Sequence, residues 1–415
     1  MSSRNQLLQR IDELSSAIED LEIRRLVPMS RLPVELLSQI FKLCPRAFHR
    51  SQEAEEGYSH PNPLLAPLLL LGVCRLWRDI VISCPSFWNA IDLQYSSKMD
   101  EGIDAAHLAT WLGRAPKPLP LSLCFRGRFT DDAQRVVQQY SVHSLHLRHM
   151  TIAKLPPMLA SLNALQLYRC SGITIADCID GLRAGGAPHL EKLSIGSIDN
   201  ETSTAPLLHV SLSSLRTLDL RRDDWQQEHW QQGTTDSCPS HMLRYLTLPA
   251  LQKLTLSYSS TAYSDLTGFF ARSSPPLFSL ELSGLEEASE IEFGYLRFVS
   301  ATLSTLAIEC RQNYGMAPVC DKLVANAKLF PNLRHLTLTN TGYPHGFNQL
   351  LAFVADCAGR HRLFESARFI FSKGNIPQVI RNQFRTFTQG STVHIHLGCW
   401  GEEENQIQCM CCHCH

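Results

Sequence analysis

The sequence predicts an α/β chain in which a short N-terminal coiled-coil helix and a three-helix unit precede an irregular repeat solenoid with a parallel strand ladder. Three observations carry that prediction. A triplet L-x-x-L-x-L, with Ile tolerated, recurs seven times between residues 162 and 338, apolar helical stripes lie close together between residues 34 and 83, and a coiled-coil spacing of apolar residues occupies 7–21. The boundaries expected from these patterns are 1–27 for the first helix, 28–93 for the helical unit, 94–400 for the solenoid and 401–415 for a disordered tail rich in Cys and His.

In the first segment Leu7, Ile11, Leu14, Ile18 and Leu21 alternate steps of four and three residues, with Glu13, Glu19, Asp20, Glu22, Arg24 and Arg25 on the remaining faces. That is the a/d pattern of a coiled coil. So short a helix is marginal alone in water. It is expected to self-associate weakly through residues 7–21, with folding back on the next unit and fraying as the open alternatives.

Pro33 suits the first turn of a helix over 34–43, where its missing N–H costs nothing, and Glu35 complements the positive helix end. Leu36, Ile40 and Leu43 fall on one side and Leu37, Phe41 and Cys44 beside them, a face too wide for one small helix to hide. A second helix over 65–83 carries Leu70, Cys74, Trp77 and Val81, and Pro85 opens a short turn ending in Phe87 and Trp88. Three helices of this size bury little core, so surplus apolar surface is left for a partner.

The order Leu32-Pro33-Val34-Glu35-Leu36-Leu37, Ile40-Phe41, Val73-Cys74-Arg75-Leu76-Trp77-Arg78, Pro85-Ser86-Phe87-Trp88 resembles an F-box. The resemblance implies docking to the Skp adaptor, which bridges to a cullin-RING ubiquitin ligase. It places that contact on Leu32, Pro33, Leu36, Leu37, Ile40, Phe41, Cys74, Trp77 and Trp88. The sequence departs from the family pattern at 45–63, a polar insertion carrying Glu53, Glu55, Glu56 and Gly57 that is longer than a compact helix pair needs.

The seven triplets begin at Leu162, Leu190, Leu215, Leu251, Leu277, Leu303 and Leu333, so successive copies lie 28, 25, 36, 26, 26 and 30 residues apart. Degenerate copies stand at Leu119-Leu121-Leu123 and Val142-Leu145-Leu147, and Val393-Ile395-Leu397 reads as a final strand. In each triplet the last two apolar residues flank a polar one, as on a strand with one face in the core. Helical or irregular returns are expected at 263–271, 291–299 and 345–358. One unit cannot bury its own face, but stacked units share a continuous core. The chain therefore resembles an F-box protein of the leucine-rich-repeat kind, divergent in that the usual asparagine after the motif is mostly absent and the lengths vary.

Function is expected on the side chains left pointing outward, among them Gln166, Ser194, Asp219, Thr255, Glu281 and Thr337. They form a mixed polar surface suited to a protein target. The longest spacing holds Trp225 and Trp230 in a polar run, where they either form a binding hot spot or fold back over the solenoid flank.

Composition narrows the function classes. Of 415 residues 44% are hydrophobic, and 38 basic against 39 acidic residues give a net charge of −1, so no global field draws the chain to nucleic acid or an anionic membrane. The longest apolar stretch, 64–74, is too short for a membrane span. The N-terminal residues show no hydrophobic signal core, so a cytoplasmic or nuclear location is expected, with the 15 cysteines mostly as reduced, buried thiols. Cys409, Cys411, Cys412, His413, Cys414 and His415 are numerous enough for zinc, yet a terminal run offers no enclosing fold, and no metal or other cofactor is expected. No nucleophile elbow, phosphate-binding loop or H-E-x-x-H motif occurs. The expectation is a non-catalytic substrate-recognition subunit of an SCF-type (Skp adaptor, cullin, F-box) ligase, the alternative being a scaffold that works outside any ligase.

Overall fold

The computed structural model describes residues 32–43, 67–84, 87–94, 105–115, 120–126, 130–196 apart from 153, 156 and 169, 208–221, 238–257, 262–285, 292–310, 317–340, 347–360, 364–371, 378–389, 393–400 and 407–409, with 10, 13, 16 and 198. The coiled-coil positions Leu7 to Leu21, the insertion 45–63, and Trp225 and Trp230 lie outside the described residues.

Helix α1 (Val34–Lys42) starts behind Pro33, with Glu35 in its first turn, Lys42 in its last, and Leu37 and Phe41 buried. Where the sequence predicts one helix over 65–83, the structure has two, α2 (Leu68–Val73) and α3 (Arg75–Ser83), broken at Cys74 with φ −159° and ψ 171°. The break has a local cause. Gly72 and Val73 are weak helix formers, and Arg78 Nε donates to the Leu71 carbonyl at 3.1 Å, replacing a backbone partner lost at the break. Phe41 packs on Trp77 with ring centroids 4.5 Å apart and on Phe87 at 6.4 Å. Trp88 closes the unit: its Nε1 donates to the Val81 carbonyl at 2.9 Å and its ring meets Trp111 of α4 (Ala105–Leu112).

Beyond Trp88 the chain is a mixed α/β structure dominated by one long sheet. Its strands are β1 (Ala90–Gln94), β2 (Leu121–Arg126), β3 (Val142–Arg148), β4 (Ala164–Tyr168), β5 (Lys192–Ile195), β7 (Thr217–Leu220), β9 (Lys253–Ser257), β10 (Ser279–Leu285), β11 (Thr305–Cys310), β12 (His335–Asn340), β13 (Ser366–Phe371), β14 (His394–Trp400) and β15 (Ile407–Cys409). They pair in that order, parallel throughout except that β15 runs antiparallel to β14. β6 (Val210–Ser211) and β8 (Leu246–Thr247) form a separate parallel pair. The returns include α5 (Asp131–Val137), α6 (Ile175–Gly185), α7 (Ala262–Ser273), α8 (Ala317–Ala325), α9 (Phe347–Arg360) and α10 (Gln378–Gln389).

The seven triplets set the register. Leu165, Leu193, Leu218, Leu254, Leu280, Leu306 and Leu336 stand opposite one another along the ladder, all buried, and the guiding leucines from Leu162 to Leu333 are each 0% exposed. Three strands differ from the expectation. β1 begins at Ala90, inside the stretch assigned to the helical unit, and 407–409 form a strand where a disordered tail is expected. β13 has Phe364, Ala367 and Phe369 in the triplet places, so two rings and an alanine fill the core where leucines stand elsewhere. Without the usual asparagine, carbonyls at strand ends find other donors: Cys170 Sγ to Leu147 O at 3.3 Å and Ser283 Oγ to Leu256 O at 3.1 Å.

α6 shows how a return is fixed. Thr174 and Asp177 form a capping box at its start, and Gly186 at φ 63° ends it. A Cβ on Gly181 would meet Leu155 Cβ at 2.8 Å, so the helix approaches the preceding loop as closely as a glycine allows. Gly181→Ala is therefore expected to destabilise by about 1–3 kcal/mol, against the helix-propensity gain. Denaturant unfolding checks this, and an unchanged or raised midpoint would contradict the close approach.

Among the described side chains nine cysteines stand outside any disulfide, seven of them buried. Burial, with help from the Glu309 charge, pushes the Cys310 thiol up to about 12, so it is inert as a nucleophile at neutral pH.

Candidate protein-interaction surfaces

The helical unit divides its apolar residues between two faces. Leu37, Phe41, Leu70, Ile80, Val81, Phe87 and Trp88 form the inside. Leu36 (51% exposed), Ile40 (38%) and Leu43 (84%) face outward, together with Val34, Leu69, Val73, Leu76 and Ile82. Exposed apolar surface on this scale in so small a unit is a candidate contact site. The nine residues assigned to adaptor contact fall into three groups. Pro33, Leu36, Ile40 and Cys74 are exposed, Leu32 and Trp77 are half-buried against the core, and Leu37, Phe41 and Trp88 are fully inside and shape the surface from beneath. Val34, Leu69, Val73, Leu76 and Ile82 were not among the residues assigned to adaptor contact. Their signal was the wide apolar face itself.

The second surface is the outward face of the ladder. Gln166, Ser194, Asp219, Thr255, Glu281 and Thr337 occupy one continuous register row, with Ala307 between the last two. Neighbours in such a row are about 4.8 Å apart. The row extends to His146 on one side and to Arg368 and His396 on the other; His146 and Arg368 were not expected from sequence, while His396 follows from the expected final strand. Their signal was present, because His146 and Arg368 stand between the last two core residues of irregular triplets.

Thr255 must be corrected. It is only 2% exposed, because Arg221, just past β7, bridges Asp219 (2.9 Å) and Glu281 (3.3 Å) on either side of it. Thr255 Oγ1 donates to Glu281 Oε2 at 3.5 Å, so it supports the bridge from below and is not free to touch a partner. Burial disfavours the Arg221 charge, yet the hydrogen bond to Asp219 and the charges of Asp219, Glu281 and Glu309 outweigh it and hold the guanidinium above its ordinary value. Arg221 is the residue that sequence reading missed at this place.

His146 sits between Ser144 Oγ at 2.9 Å and Gln166 Oε1 at 2.6 Å. Burial, reinforced by Arg148 and opposed by the Gln166 hydrogen bond, pushes its pKa down, so the ring is neutral at pH 7. A neutral ring whose Nδ1–H donates to Gln166 accepts from Ser144 through Nε2. His396 is also pushed down, by burial and the nearby Arg368.

No family model matches this chain, and no curated protein matches it significantly. Among the described residues no group of three His, Cys, Asp or Glu side chains could hold a metal ion, and no helix is long and apolar enough to cross a membrane.

Proposed function

We propose that this chain is the substrate-recognition subunit of an SCF-type ubiquitin ligase. Its helical unit is an F-box that docks the Skp adaptor and through it the cullin, and its ladder is an irregular leucine-rich-repeat solenoid that binds a protein target. The observation that carries the reading is the outward apolar face of α1, where Leu36, Ile40 and Leu43 stay exposed while Leu37 and Phe41 of the same helix complete the core. The ladder face adds polar groups held in fixed register, which suits recognition of a protein surface. The chain contributes proximity, and ubiquitin transfer is the chemistry of other subunits.

Leu36→Ala with Ile40→Ala tests this on residues whose loss leaves the core intact. Adaptor capture is expected to weaken by about 2 kcal/mol or more, roughly thirtyfold, with the thermal midpoint unchanged. Capture at wild-type strength by the folded variant would refute the docking face. Recovery of the adaptor without cullin would instead favour a scaffold that works outside a ligase.

A further inference from the structure

We infer that Arg126 and Arg148 form a subsite for an oxyanion carried on an acidic peptide of the target, an inference that rests on the ladder face being the target surface. The two arginines stand opposite each other at the ends of β2 and β3, and Tyr168 of β4 continues the same row. All three lie on the face opposite the buried leucines Leu145, Leu147, Leu165 and Leu167. Two cationic heads on adjacent strands repel each other unless an anion lies between them.

The chain supplies none from its described residues. Neither arginine has an ion pair or a side-chain hydrogen bond among them, and the Nε of each is buried without a partner. No outward-facing position of β2, β3 or β4 carries a carboxylate. Arg148 lies 5.8 Å from the Tyr168 ring centroid, a contact that orients the guanidinium without neutralising it.

The same face shows what a satisfied arginine looks like. Arg221 is held by Asp219 and Glu281. A buried guanidinium N–H with no acceptor is costly to leave unmade, and paired guanidinium forks match the planar or tetrahedral oxygens of a carboxylate or a phosphate group. The oxyanion would arrive beside His146 and Gln166, at the end of the ladder nearer the helical unit. The acidic stretch from Asp219 through Glu281 to Glu309 would repel the same peptide further along, which fixes where its negative end sits.

The probe is inorganic phosphate, titrated into the full chain against chloride at matched ionic strength, with the thermal midpoint as readout. Wild type is expected to be stabilised, and Arg126→Gln with Arg148→Gln to lower the apparent phosphate affinity about tenfold or more while leaving adaptor capture unchanged. No stabilisation of the wild type, or equal stabilisation of the double variant, overturns the subsite. Competition by alanine pentapeptides with a central phosphoserine or a central glutamate then assigns the source as phosphate or carboxylate. If phosphate binds but neither peptide competes, the peptide assignment is overturned. Failure of adaptor capture in the wild type would remove the proposed ligase role without touching the phosphate result, so the two readings fail separately.

Discussion

Replacing Trp88 with alanine is expected to cost about 3–5 kcal/mol of stability and to remove adaptor capture with it. Trp88 is fully buried and heads the largest enclosed side chains. It faces two ways. Its Nε1 donates to the Val81 carbonyl of α3 at 2.9 Å, and its ring meets Trp111 of α4 edge-on at 5.6 Å with the Arg114 guanidinium 4.9 Å above it. Truncation would open a cavity between the helical unit and the start of the ladder, leave the Val81 carbonyl without its donor, and free the unit to move against β1. Trp88→Phe separates the terms, since it keeps most of the packing and loses the N–H, and about 1–2 kcal/mol is expected. Urea unfolding measures both. A loss under 1 kcal/mol for Trp88→Ala would mean that the helical unit does not depend on this junction.

How much of this was legible in the sequence depends on how each residue meets the backbone. The leucine triplets were readable because a two-residue period with one buried face leaves a fixed signature, and every guiding leucine is inside. β13 escaped because Phe364, Ala367 and Phe369 fill the same places with different volumes, which a pattern written in leucine does not register. The break at Cys74 escaped because the apolar stripe runs on through it, while the interruption is a matter of backbone partners, with Arg78 reaching the Leu71 carbonyl. The outward row was read correctly as a row, since alternation alone assigns it. Thr255 was misjudged because its cover, Arg221, comes from beyond the end of a neighbouring strand and bonds Glu281 sixty positions away. Burial of that kind is a property of the stack and not of any single repeat. The pairing of Arg126 with Arg148 is likewise set by register between two irregular repeats.

The second large effect is expected at Asp265, where Asp265→Asn should cost about 2–3 kcal/mol at neutral pH. The carboxylate, on α7, accepts from His241 Nδ1 at 2.9 Å and from Arg244 Nε at 2.7 Å, joining the helix to the 3-10 segment Pro239–Arg244. Arg272, also on α7, donates to the Leu243 and Arg244 carbonyls at 2.8 and 2.9 Å, and Ser273 Oγ accepts from the Leu248 N–H at 3.0 Å. These bonds hold the return in the longest repeat spacing, from Leu215 to Leu251. The cost stays below that of a fully buried ion pair because the Arg244 side chain is 48% exposed and regains water when its partner is lost. Burial works against the Asp265 charge, but the hydrogen bonds to His241 and Arg244, and then their charges, outweigh it and hold the carboxyl below its ordinary value. The sign follows from that direction. A carboxyl with a lower pKa folded than unfolded contributes stability that is fully present above the unfolded value, about 3.9, and is lost as the pH falls through the folded value. Wild type and Asp265→Asn should therefore differ most at pH 7 and converge in acid. A difference that stays constant down through the carboxylate range would mean that shape, not charge, holds this return in place.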